Sequence, residues 1–166
     1  TTGYHRTPLE WKHRHQVRER LVGGRIAFRA AQGSLAFNYL RMDWSGRLVQ
    51  QLPHYGYLRE AHDLSYLQHF SLDYRMTSLS GQWLSAGEMA LSSRGGKAAL
   101  AYVRYRDPDR GDYTLSGRYL SSSYMAPLGN TPSRFAYPGN EMGCYMAAHL
   151  PLLDQLDLLL SWDAYR

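Results

Sequence analysis

The stretch Phe70-Ser71-Leu72-Asp73-Tyr74-Arg75-Met76-Thr77 puts an apolar side chain at every even position and a polar one at every odd position. Successive side chains of a strand point to opposite sides, so strict period two marks an extended segment whose two faces meet different surroundings. The same alternation returns at Tyr113-Thr114-Leu115-Ser116-Gly117-Arg118-Tyr119, at Leu156-Asp157-Leu158 and at Leu160-Ser161-Trp162-Asp163. Three recurrences of one pattern predict an all-β chain.

Weaker strands fill the intervals at 24–30, 35–44, 83–91, 98–105 and 143–150, and short turn signals separate them: Gln32-Gly33, Ser80-Gly81, Arg94-Gly95-Gly96, Asp107-Pro108-Asp109-Arg110-Gly111 and Leu153-Asp154-Gln155. The layout predicts eight or nine antiparallel strands joined as up-and-down hairpins. Two longer segments, 45–63 and 121–140, are rich in Pro, Gly, Ser and Tyr and read as loops. One exception to the β pattern stands near the start. Thr7-Pro8-Leu9-Glu10 has a cap, a first-turn proline and an acid three residues after the cap, so a short helical connector is expected over 7–19. The whole of 1–166 reads as one β-barrel region.

Composition narrows the setting. No apolar run approaches the roughly 20 residues of a membrane-spanning helix, which excludes an α-helical membrane protein. A transmembrane barrel escapes that test, because lipid-facing and lumen-facing residues alternate along each strand. The formal charge of +5 comes from Lys and Arg scattered along the chain, a weak pointer to an acidic partner. The lone Cys144 allows neither an internal disulfide nor a zinc pattern. Fourteen tyrosines against four phenylalanines favour rings with one dry and one wet end, as at a membrane boundary. Thr1-Thr2-Gly3-Tyr4 opens without the basic and apolar run of a signal peptide, so the expectation is a processed chain or an internal piece. A soluble barrel or sandwich shares the hairpin layout. Strands near 10 residues, with charges in mid-strand at Arg29, Arg41, Asp73, Arg75, Glu88, Arg104 and Arg118, favour the membrane form and a wet, ion-paired lumen.

The run Gly117-Arg118-Tyr119-Leu120-Ser121-Ser122-Ser123-Tyr124, then Ser133-Arg134-Phe135, then Gly139-Asn140-Glu141-Met142-Gly143-Cys144-Tyr145 resembles outer-membrane proteins of the Bacteroidetes and Chlorobi groups. In that family helix-hairpin-helix repeats precede a β-barrel. His5-Arg6-Thr7-Pro8-Leu9-Glu10, Gly87-Glu88-Met89-Ala90-Leu91-Ser92 and Trp162-Asp163-Ala164-Tyr165-Arg166 resemble further elements in the same order. The resemblance implies an outer-membrane location, lipid and lipopolysaccharide as surroundings, and further strands of the same barrel as partners. The family's helix-hairpin-helix repeats have no counterpart in these residues, so nucleic-acid binding is not carried over.

Several side chains invite a chemical role. Glu88 stands mid-strand among small residues, as a lumen acid lining a solute path or as half of a structural ion pair; Arg104 on the next strand is a candidate mate if the turn brings both to one face. Asp73, Arg75 and Arg118 complete the candidate lumen charges. Asn140, Glu141 and Gly143 mark a loop-to-strand junction, with too few ligands for calcium and the form of an Asx-type turn. His13 and His15 point to different helix faces and do not make a metal site. No Gly-x-Ser-x-Gly elbow nominates a nucleophile. The sequence therefore predicts no enzyme, no cofactor and no metal. It predicts an outer-membrane barrel segment with a structural or passage role, against the alternative of a soluble module that binds a ligand or single-stranded nucleic acid.

Overall fold

The computed structural model describes residues 7–8, 18–49, 63–126, 128, 133, 139–153 and 155–166. They form one antiparallel sheet of eight strands: β1 (Glu19–Ala30), β2 (Gly33–Val49), β3 (Asp63–Thr77), β4 (Trp83–Ser92), β5 (Lys97–Asp107), β6 (Gly111–Leu120), β7 (Glu141–Leu153) and β8 (Leu156–Tyr165). Each strand pairs with its neighbours in sequence, in the order β1-β2-β3-β4-β5-β6-β7-β8. The sheet is open. Among the described residues β1 pairs only with β2 and β8 only with β7.

All eight strands coincide with stretches read from the sequence, but their ends differ. β1 begins at Glu19, β2 runs on to Val49 and β3 starts at Asp63, so cross-strand bonding carries regular structure into the stretch read as the loop 45–63. A register shift between Asp43 and Leu48 absorbs the extra residues of β2. Of the helix expected over 7–19, Pro8 is helical and Glu19 already belongs to β1, while 9–17, with His13 and His15, lie outside the described residues. The only other helical turn described is a 3-10 turn at Ser93–Gly95.

The two rims of the sheet are unlike. Three of the four connections at one rim span only a few residues: 31–32 between β1 and β2, 78–82 between β3 and β4, and 108–110 between β5 and β6; the fourth joins Leu153 directly to the short β7–β8 turn. At the other rim β2 and β3 are separated by 50–62 and β6 and β7 by 121–140, while β4 and β5 are joined there by only 93–96. Gly111 shows how tight the first rim is. Its φ of 108° suits glycine alone, and a Cβ there would strike the backbone carbonyl of His149 on β7.

Register separates the side chains into two populations. One row crosses seven strands through Ile26, Phe37, Leu72, Met89, Ala99, Tyr119 and Met142. The next row toward the tight-turn rim runs Phe28, Leu35, Tyr74, Gly87, Ala101, Gly117, Cys144 and Ala164. This apolar face is uncovered: Ile26 is 78% exposed, Met89 62% and Trp162 54%. Buried apolar residues lie elsewhere. Ala36, Met42, Leu67, Ala90 and Leu120 all point to the opposite, charged face, and Met125 reaches Met42 and Leu67 from the β6–β7 connection. A free-standing soluble sheet buries its apolar face and wets the other, and here the arrangement is reversed.

Candidate functional site

Among the described residues the charged face carries three arginine–carboxylate groups, besides a His149–Asp157 contact of 3.3 Å. In the first, Arg25 of β1 reaches past β2 and donates from Nη1 and Nη2 to the carboxylate oxygens of Asp73 on β3, at 2.6 and 2.9 Å. Asn38 of β2 completes the link, accepting from Arg25 at 2.7 Å and donating to Asp73 at 2.8 Å and Ser71 at 3.0 Å. In the second, Arg104 and Arg106 of β5 both donate to Asp112 of β6. The third joins β6, β7 and β8: Arg118 donates from Nε to Glu141 and from Nη1 and Nη2 to Asp163, at 2.9 and 3.1 Å.

The third group explains the loop-to-strand junction. Glu141 has a side chain only 2% exposed and also accepts from Ser133 Oγ at 2.8 Å, so its charge is compensated where it is driest. Gly143 faces Arg118, and a Cβ on it would stand 2.8 Å from the guanidinium carbon. The missing side chain lets the guanidinium lie flat across β7 on its way to β8. Asn140 has a φ of 52°, and its N–H donates to the Ser121 carbonyl at 3.1 Å. Backbone geometry therefore sets this turn. The Asn140 side chain makes no hydrogen bond among the described residues, which corrects the Asx-type reading.

Two further expectations change. Glu88 and Arg104 do share a face, but Glu88 stands opposite Leu100, four residues from Arg104, roughly 14 Å along the strand. Arg104 takes Asp112 instead. Glu88 stands opposite Asp73, and Arg75 opposite Ala86, both on the charged face. Arg41 is the second correction, because its register places it with Phe37 and Tyr39 on the apolar face. It sits near the long-loop end, bonded to Asp43 and lying 5.2 Å over the Tyr66 ring, where a long side chain reaches water past the apolar band.

The β6–β7 connection does not simply leave the sheet. Ser121 is tied to Lys97 by two bonds of 2.8 Å, one from its N–H to the Lys97 carbonyl and one accepted by its Oγ. Residues 122–125 then cross the charged face: the Ser123 carbonyl passes over Gly96, the Tyr124 ring stands edge-on to His69 at 6.0 Å, and Met125 packs on Met42 and Leu67. Under this segment lies a cavity of about 640 Å³. Its walls include Arg25, Asp73, Arg75 and Glu88 and, toward the long-loop rim, Leu40, Met42 and Ala90. Beneath the same segment His69 Nε2 and Ser92 Oγ are buried without a hydrogen-bond partner among the described residues.

Sequence reading missed Arg25, Asn38, Tyr124 and Met125 as contributors. For Arg25 the signal was present, since Ile26 and Phe28 fix its face by parity. For Tyr124 and Met125 only an apolar pair inside a Ser/Pro-rich stretch hinted at docking. Among the described residues no three metal-ligating side chains cluster, and no helix is long and apolar enough to cross a membrane. Comparison of the chain with protein-family models, with curated proteins and with solved structures gives no match.

Proposed function

We propose that this chain forms part of the wall of a larger transmembrane β-barrel in a bacterial outer membrane, with a structural or solute-passage role and no catalysis. One observation carries the reading: a continuous apolar face across all eight strands is uncovered, while the opposite face holds the ion-paired charges. Lipid is the surrounding that such a face suits without a second protein layer.

Aromatic placement adds to it. On the apolar face Trp83, Tyr105 and Tyr113 stack in a line near the tight-turn rim, with centroid separations of 4.6 and 6.3 Å. Tyr39, Tyr66 and Tyr119 occupy the same face toward the other rim. Rings at both borders of an apolar band resemble the girdles of outer-membrane barrels, and the two longest connections, 50–62 and 121–140, lie at one rim, as the longer loops do at a barrel's outer end. Strands of 10 to 17 residues are long enough to cross a bilayer at a tilt. In this reading lipid and lipopolysaccharide meet the apolar face, and further strands of the same barrel pair with β1 and β8, since an open edge is costly in hydrocarbon. The resemblance to the helix-hairpin-helix-containing barrel proteins points the same way.

Spin labels at each position from 70 to 77, in the full-length protein in lipid, test this. The expected result is oxygen access that peaks at 70, 72, 74 and 76 and aqueous-quencher access that peaks at 71, 73, 75 and 77. Shielding of the even positions from both reagents would mean that a second protein layer covers the face, and the soluble binding module would replace the barrel.

A further inference from the structure

The ionic groups leave two charges on the cavity wall outside any hydrogen bond or close ion pair. Arg75 and Glu88 form neither among the described residues, although the Glu88 charge acts at longer range on Arg25 and Tyr124, and both line the cavity under the 121–126 segment. They are diagonal neighbours on adjacent strands, since Asp73 faces Glu88 and Arg75 faces Ala86. Diagonal positions of an antiparallel pair lie about 7–8 Å apart, within bridging reach of one small molecule that carries both signs. The nearby charges Arg25 and Asp73 are already committed to each other.

The rest of the cavity specifies what else that molecule carries. Beyond the charged rows the wall carries Ala90, Leu40 and Met42 beside the His69 ring, and Tyr124 stands in the covering segment. A volume of about 640 Å³ lies in the range of small-molecule sites, which pair an apolar lining with a few convergent polar groups. We propose that this cavity binds a small zwitterion with an apolar side chain, of the α-amino acid class: Glu88 receives the ammonium, Arg75 the carboxylate, and the Leu40–Met42 end the side chain. The proposal rests on the charged face being the wet side of the wall.

Equilibrium dialysis of the full-length protein in lipid nanodiscs tests it with three probes: L-leucine, N-acetyl-leucine, which lacks the cation, and leucinamide, which lacks the anion. Leucine is expected to bind saturably, with each blocked analogue about ten-fold weaker. Glu88→Gln should weaken leucine binding and erase the penalty on N-acetyl-leucine alone. Arg75→Gln should erase the penalty on leucinamide alone. Both side chains are exposed and unpaired, so strand content by circular dichroism should be unchanged in each variant. Equal binding of all three probes, or no saturable binding at millimolar concentrations, overturns the proposal. The spin-label pattern at 70–77 keeps the two readings apart: with that pattern intact, absent leucine binding removes the zwitterion site and leaves the barrel.

Discussion

Arg118 divides its guanidinium between Glu141 and Asp163, and the two carboxylates are in different positions to lose it. Asp163 is exposed and can turn to water, whereas the Glu141 side chain is 2% exposed. Arg118→Ala is therefore expected to destabilise the sheet by about 3 kcal/mol, most of it from withdrawing a guanidinium from the buried Glu141 carboxylate. Asp163→Asn should cost much less, because an exposed pair contributes little. Chemical unfolding of the two variants side by side gives the comparison, and equal losses would show that the burial difference does not matter. Gly143 belongs to the same unit: any side chain at 143 must lift the guanidinium off β7 before it can reach β8.

At the scale of elements, the segment over the charged face depends on Gly96. A Cβ there would come within 2.5 Å of the Ser123 carbonyl, which is backbone and cannot swing aside. Gly96→Ala is expected to cost about 1–3 kcal/mol of docking and to expose Met125, read as faster alkylation or oxidation at that sulfur. Docking should also depend on pH. Burial, with a smaller contribution from the Glu88 charge, pushes the Tyr124 hydroxyl above its ordinary value. A group raised in the docked state stabilises it fully below the undocked pKa and loses that contribution as pH rises through the docked one. The segment should thus release in alkaline solution above about pH 10, followed by the fluorescence of Trp44 in a variant whose Trp11, Trp83 and Trp162 are replaced by Phe, and Tyr124→Phe should abolish the release. How much of this was legible varied with range. Strand identity and facing came from parity, a property of neighbouring residues, so β3, β6 and β8 were plain. The path of 121–125 depends on contacts with Gly96, His69 and Met42, far away in the chain, and no local pattern encodes it. Arg41 misled because β2 carries apolar residues on both faces, at 35, 37 and 39 and at 36, 40 and 42, so alternation there does not tell the two sides apart. The Glu88–Arg104 pairing failed for a related reason: parity fixes a shared face, but only turn length fixes how far apart along it two residues stand.

For the whole molecule, the two faces make opposite demands on charge. Leu72 lies in the middle of the apolar row, so on the proposed barrel reading Leu72→Arg is expected to cost about 2–4 kcal/mol of stability in a bilayer. Ser116→Arg, on the charged face of β6, should cost far less. Similar costs at both positions, measured by denaturant titration in bilayers, would mean that the faces do not meet different media. The connectivity of the sheet bears on how such a wall is made and altered. Because among the described residues each strand's backbone pairs only with its sequence neighbours, no ladder of the sheet requires a distant stretch of chain to arrive first, and assembly can proceed hairpin by hairpin with little loop entropy to overcome. Two strands with their tight turn can be added or removed at once without inverting the direction of any remaining strand or turning any side chain to the other side. The hairpin is then the natural unit of copying for this sheet, and its width can change by duplication while the chemistry of each surviving strand stays as it was.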